Sequence, residues 1–466
     1  MVDNSSLKDL SIADAGAMLR AGEVTSTALT QSALAQLRTH EPNINAFITV
    51  TEERALADAQ RADQDITHGI DRGPMHGIPY ALKDIYDTAG TRTTCHSKLR
   101  LDVVPQHDSV CASKLAAGGG VLLGKTATHE FAFGGPSFDL PFPPARNPWN
   151  TEHGPGGSSS GSGAAVASGS TRTALGSCTG GSIRGPAAYC GIVGLKPTYG
   201  RVSRRGVFPL AYTLDHCGPL SKTVSDAALT LQVIAGYDPL DPGSADVPVN
   251  DFTAALTQDL SGVRIGYLKS FFDEAVDVSD EAVAAVDDAL ATMRDLGASV
   301  ETIANVSNVA TYNACGRIIL LAEAFAIHEA DLQTRPQEYA QLTRERIMLG
   351  AYLSSSDYIQ ALRTRRQLCA EINQQVMNKF DVLVAPSSLT PAPRIDNAPT
   401  GLLNSPMQTM PFNVTGNPAM SVPIGFSRSR LPLSMQIVGR YFDESIVVRV
   451  GHAYEQATAW HKSWPT

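Results

Sequence analysis

Two neighbouring stretches, GGSSSGSGAAVASG at 156–169 and ALGSCTGGSIRGP at 174–186, decide how the rest of the chain is read. On composition alone, the Gly/Ser run would be a flexible linker. Its surroundings argue against that, because the small, apolar, helix-compatible residues 163–168 follow at once and imply packed structure. The second cluster, Thr179-Gly-Gly-Ser182, stands 24 residues further on, counted from Ser158 to Ser182. Small residues let backbone approach a ligand closely, and successive N–H groups can aim at one oxygen. Two such loops, followed by GIVGLKPT at 191–198, point to a ligand-facing site.

Outward from this centre, helix and strand patterns alternate. Apolar residues at three- and four-residue spacing predict helices over 11–20, 25–37 and 55–65, with Ser11 and Thr25 or Ser26 as caps. Residues 78–83 read as a buried strand, 110–117 as a helix and 121–123 as another strand. Later strands are expected at 263–268, 300–303, 381–385, 420–424 and 434–438. Helices are expected at 280–296, 315–331, 355–379 and 445–459. Strand–helix–strand at this spacing favours α/β layering. With no internal repeat and no charged linker, one large α/β domain over 1–466 is expected, with the mostly helical 305–380 region as a candidate subdomain.

Two familiar spellings fail their context tests. GGVLLGKT at 119–126 matches a phosphate-binding loop, but that loop needs its strand before the first Gly, and here a helical segment precedes it. GSSSG at 157–161 matches a nucleophile elbow, which needs a buried strand running into the Ser. The preceding WNTEHGP at 149–155 is polar and turn-prone, so Asp215 and His216 complete no triad with it.

Of the 466 residues, 43% are hydrophobic, and 37 Lys+Arg against 46 Asp+Glu leave a net charge of −9. Disorder is excluded by that balance. The mild acidity, with no run of five like charges, argues against a nucleic-acid backbone as partner. Seven cysteines, odd in number and without a Cys-x-x-Cys, read as reduced thiols. The start has no signal-peptide pattern, and no apolar stretch approaches the ~20 residues of a membrane span. His129-Glu130 and His328-Glu329 lack the second His of a zinc helix, so all eleven histidines read as structural or surface groups. The expectation is a cytoplasmic protein with no membrane partner, no nucleic acid, no metal and no cofactor.

At this point the chain resembles the amidase signature family. GGSSSGSGAAVASG at 156–169 and ALGSCTGGSIRGPAAYCGIVGLKPTYGRVSRRG at 174–206 carry the resemblance. It extends through GIPYALKDIYDTAG at 77–90, GKTATHEFAFG at 124–134, DVLVAPSSLTPAP at 381–393, PFNVTGNPAMSVPIG at 411–425 and the closing residues 431–458. The resemblance implies a twisted mixed central sheet covered by helices on both sides. It also implies a hydrolase of amide bonds that forms an acyl-enzyme. Position by position, Ser182 matches the nucleophile, Ser158 the bridging serine, joined to Gly157 by a cis peptide, and Lys83 the base. Thr179, Gly180, Gly181 and Ser182 would form the oxyanion hole, with Ser159, Arg184 and Cys178 in support. A lysine can act as base only when neutral, which requires burial or a nearby cation.

The chain departs from the pattern at Cys178, where the family usually has Asp, and at Ala127-Thr128, where Asn-Met is frequent. The apolar 131–144 loop, with Phe131, Ala132 and Phe133 as candidate pocket residues, suggests a small to medium, partly apolar amide as the partner molecule, with the chain a candidate homodimer. The alternative is the glutamine-hydrolysing component of a tRNA-dependent amidotransferase, and an esterase or carbamate hydrolase on the same residues is a close neighbour.

Overall fold

The apolar run at 78–82 forms the buried strand its pattern demands, and its sheet neighbours come from across the chain. The computed structural model describes residues 7–465 apart from 255, 274, 276, 304, 305 and 398–406. Among them, eleven strands form one sheet: β1 (Phe47–Val50), β2 (Pro79–Lys83), β3 (Val121–Thr126), β4 (Thr173–Cys178), β5 (Val193–Lys196), β6 (His216–Ser221), β7 (Arg264–Tyr267), β8 (Ser299–Thr302), β9 (Val382–Pro386), β10 (Ala419–Phe426) and β11 (Pro432–Val438). Their order is β1-β3-β2-β4-β6-β5-β10-β11-β9-β7-β8. Four pairings are parallel (β2–β3, β2–β4, β7–β8, β7–β9) and six antiparallel, so the sheet is mixed as expected. Helices flank it.

Local chemistry explains most boundaries. Ser11 accepts the Asp14 N–H at 3.0 Å to start the helix Ile12–Ala21, and Gly22 ends it in a left-handed conformation. The expected helices at 110–117 and 280–296 form as Val110–Ala117 and Asp280–Asp295. The 315–331 pattern belongs to a longer helix, Val309–Thr334, while the 355–379 pattern ends as α-helix at Ala370 and continues as a π-helical turn, Glu371–Val376. The expected subdomain limit at residue 305 lies outside the described residues.

Sequence reading does not foresee β1, β4, β5 and β6. The last three carry Gly, Ser, Cys and Pro, which count against strands, yet every residue in them is buried. Close layering requires the small residues. A Cβ at Gly176 would fall 2.6 Å from Ser159 Oγ, and one at Gly194 2.6 Å from Ala187 Cβ. The Gly/Ser run is packed against this layer: residues 158–167 are all buried, and Ser160–Ala167 is helical. A Cβ at Gly161 would fall 2.2 Å from the Ala46 carbonyl oxygen, so this segment is part of the core rather than a linker.

The phosphate-loop spelling is likewise structural. Gly119 and Gly120 spend their N–H groups on the Ala116 and Leu115 carbonyls. Lys125 is fully buried; its Nζ lies 3.2 Å from Asp84 Oδ1 and donates to the Tyr86 carbonyl at 2.7 Å and Thr93 Oγ1 at 2.6 Å. Removing one partner of a buried ion pair strands the other charge, so Lys125→Ala is expected to cost about 3–5 kcal/mol of stability. Urea unfolding measures it; a loss under about 1 kcal/mol, the scale of an exposed pair, contradicts the assignment.

Candidate active site

The parallel pairing of β2 with β4, Leu82 against Leu175, carries Lys83 to the side of Ser177. Lys83 is fully buried, and its Nζ donates to Ser158 Oγ at 2.7 Å and Ser177 Oγ at 2.9 Å. Neither partner is charged. Burial therefore pulls its pKa down to about 7, against the opposing pull of nearby Cys178 and Asp215, whereas an ordinary lysine sits near ~10.4.

Of the four crowded serines, Ser158 is the one whose hydroxyl meets Lys83. Ser159 Oγ donates to the Ser177 carbonyl and accepts the Ser177 N–H, both at 3.2 Å. Ser162 bonds Thr126 and the Leu175 carbonyl, and Ser160 the Ala127 carbonyl. The Gly157–Ser158 peptide is cis. Position 157 admits only glycine, since a Cβ would fall 2.0 Å from His129 Cε1.

Ser182 is half-buried on the turn between β4 and the helix Arg184–Cys190. Each carbonyl beside it is held by a protein donor. Thr409 Oγ1 donates to Gly180 O at 2.7 Å, Gly185 N to Gly181 O at 2.7 Å and Ser159 N to Ser182 O at 3.3 Å. In a planar trans peptide the N–H points opposite the C=O, so these bonds turn the N–H groups of Gly181 and Ser182 the other way. Thr179 Oγ1 donates to Asp215 Oδ1 at 2.6 Å, and burial raises the Asp215 carboxyl to about 6. The Ser158 and Ser182 loops are thus tied together, with Lys83 beneath the first. His216 turns Nδ1 to the Leu214 carbonyl at 2.6 Å, in agreement with the absence of a Ser-His-Asp arrangement.

Beside this cluster lies a cavity of about 240 Å³ whose lining includes His129, Gly157, Ser160, Arg317, Arg346 and Met407. Of the candidate pocket residues, Phe131 and Phe133 do not line this cavity. Phe131 is 2% exposed, its ring centroid 5.0 Å from Phe208 and 4.6 Å from His328. It is a core group, because left-handed backbone at Phe131 and Ala132 turns the chain inward. Phe133 is also buried, and Ala132 borders a second cavity beside Ser177. The flanking residues His129, Glu130 and Gly134–Ser137 make the cleft wall instead. The expectation of a structural or surface role for His129 is corrected here: its ring lines the cleft, and burial followed by the Lys83 charge lowers its pKa to about 3, leaving it neutral. Ser177 and the two arginines have no signal in the sequence, since only the sheet pairing and the helices Val309–Thr334 and Gln341–Met348 bring them to the site, and Asp215, weighed in the sequence only as a triad partner, meets Thr179 instead. Among the described residues, no group of three or more His, Cys, Asp or Glu could hold a metal ion, and no helix is long and apolar enough to cross a membrane.

Comparison with known proteins identifies the family. Residues 28–448 match the amidase family. The chain is 40% identical over 480 residues, 98% of each chain, to the A component of glutamyl-tRNA(Gln) amidotransferase from Geobacter metallireducens. The structure of native peptide amidase from Stenotrophomonas maltophilia superposes with a TM-score of 0.85 at 31% identity over 97% of both chains. That of the A component of glutamyl-tRNA(Gln) amidotransferase from Thermotoga maritima gives 0.81 at 33% identity, covering 98% of this chain and 96% of that one.

The expected partner set, a small amide alone with no nucleic acid and at most a second copy, does not stand. Relatives matching over nearly the whole length are named as subunits of an enzyme acting on a tRNA. Net charge describes one chain's surface, whereas in an assembly the basic surface can lie on another chain. The match over most of the chain, on a fold shared with solved amidases, has one consequence: the chain belongs to the amidase signature family and is an amidohydrolase acting on amide C–N bonds.

Proposed function

We propose that the chain hydrolyses the side-chain carboxamide of glutamine and supplies the released ammonia as the A-type component of a tRNA-dependent amidotransferase. Neutral Lys83 takes the Ser158 proton, Ser158 takes that of Ser182, and the freed Ser182 oxygen attacks the amide carbon. The amides of the 179–182 turn receive the developing oxyanion, where losing one donor typically costs 10²–10³ in rate. Ser158 then protonates the leaving nitrogen and recovers a proton from Lys83, which becomes neutral again. An acyl-enzyme remains on Ser182, and water cleaves it by the reverse relay.

The single observation that carries the glutamine reading is the pair Arg317 and Arg346 on the wall of the cavity that Gly157 also lines. Glutamine carries a carboxylate at the end remote from its amide, and guanidinium is matched to that group. Arg317→Met is expected to raise KM for glutamine at least about tenfold with kcat little changed, the effect of losing one charge-assisted hydrogen bond. Butyramide, which lacks the carboxylate, is expected to be indifferent to the change. Ammonia release measures both. Equal turnover of glutamine and butyramide by the unaltered protein contradicts the reading.

A second reading is favoured by the superposition with peptide amidase, 0.85 against 0.81 for the amidotransferase component. The arginines would then hold a carboxylate-bearing peptide amide. Comparing glutamine with short peptide amides in the same assay separates the two.

A further inference from the structure

Arg184 is fully buried, and among the described residues no carboxylate lies within ion-pair distance of it. Its Nη1 donates to Gln436 Oε1 at 2.7 Å, and its Nη2 to the Thr409 carbonyl at 2.9 Å and to Asn413 Oδ1; Nε has no partner. A buried guanidinium cannot shed its proton, and leaving it without a counter-charge is costly. One ionisable group touches it: Cys178 Sγ, fully buried, 3.7 Å from Nη2. Cys178 ends β4, immediately before Thr179.

We propose that Cys178 is a thiolate ion-paired with Arg184, a positioning pair that fixes the end of β4 and with it the 179–182 turn. The pairing stands on Arg184 and its surroundings. Its effect on catalysis rests on the proposed oxyanion role of the turn. Burial pushes the thiol up, but Arg184 and then Lys196 pull it below its ordinary value. The other ionisable groups facing it are Lys196 on β5, His216 on β6, Lys83 on β2 and Asp215. The rival arrangement is a neutral S–H donating to Asn413 Oδ1 at 3.4 Å, an oxygen that already accepts from Arg184.

Ultraviolet difference spectroscopy of the native protein against Cys178→Ser decides between them. At about pH 6.5, two units under the ~8.5 of an ordinary thiol, the wild type is expected to show a thiolate band that the variant lacks. Absence of the band overturns the ion pair. Should the serine variant not fold, the wild type is read against its own denatured chain at the same pH. A second arm uses the pH profile. A thiolate near Lys83 raises the lysine pKa, so Cys178→Ser is expected to move the acid limb of kcat/KM to lower pH and to lower kcat at least about tenfold, while Cys178→Asp restores the limb and at least about a third of kcat. An unmoved limb in Cys178→Ser overturns the pair. Loss of turnover in Ser182→Ala is independent of both arms, so failure here and failure of the proposed mechanism are told apart.

Discussion

Ser182→Ala is expected to lower kcat for any amide substrate at least about 10⁴-fold while leaving the protein folded. Deleting the nucleophile leaves only binding and oxyanion donors, which in serine hydrolases sustain a residual ~10³–10⁴ over water. The fold is spared because the structural contribution of residue 182 is made by its backbone. Its carbonyl accepts the Ser159 N–H at 3.3 Å, and the side chain is half-buried on a turn. A stability change within about 0.5 kcal/mol is therefore expected. Steady-state kinetics beside a thermal melt measures both. A variant that keeps more than about a hundredth of wild-type kcat, well above the residual level, removes Ser182 from the proposed role.

Lys83→Ala is expected to reduce kcat at least about 10³-fold, and its larger value lies in the pH profile. Lys83 acts only when uncharged, and burial brings its pKa to about 7. Wild-type kcat/KM should therefore be low in acid, rise through about pH 7 and level off above it. Below that point each pH unit costs about tenfold, the slope of one required deprotonation. The variant should lose this limb along with its rate. His129 produces no limb near neutrality, since its pKa lies near 3. A limb that persists in Lys83→Ala assigns the titration to another group; Asp215, raised to about 6 by burial, is then the first to examine.

Scaffold and catalytic positions are legible in the sequence for different reasons. Strands such as β2 and β9 announce themselves because they are unbroken apolar runs bounded by polar turns. Strands β4 and β6 do not, because β4 must let the Gly/Ser segment lie close at Gly176 and β6 must let Leu195 and Pro197 lie close at Gly218, and small residues erase the strand pattern. The roles of Lys83, Ser158 and Ser182 are read only through the resemblance; the contacts of Lys83 with Ser158 and Ser177 depend on a parallel pairing of β2 and β4 that no local pattern encodes. Ser177 shows the limit most clearly. It is Lys83's second hydrogen-bond partner, 94 residues away in the chain, and nothing in GSCTGGS marks it. The placement of Phe131 shows a related limit. Phe131 is apolar enough for a pocket or a core, and a left-handed backbone, invisible in composition, sends it to the core.

The most direct test of the relay from Lys83 through Ser158 to Ser182 is covalent trapping with a fluorophosphonate, followed by mass mapping of the adduct. A single phosphonyl group is expected on the peptide carrying Ser182, formed faster as pH rises through about 7 and scarcely formed in Lys83→Ala. An adduct on Ser158 or Cys178, or undiminished labelling of Ser182 without the lysine, would contradict it.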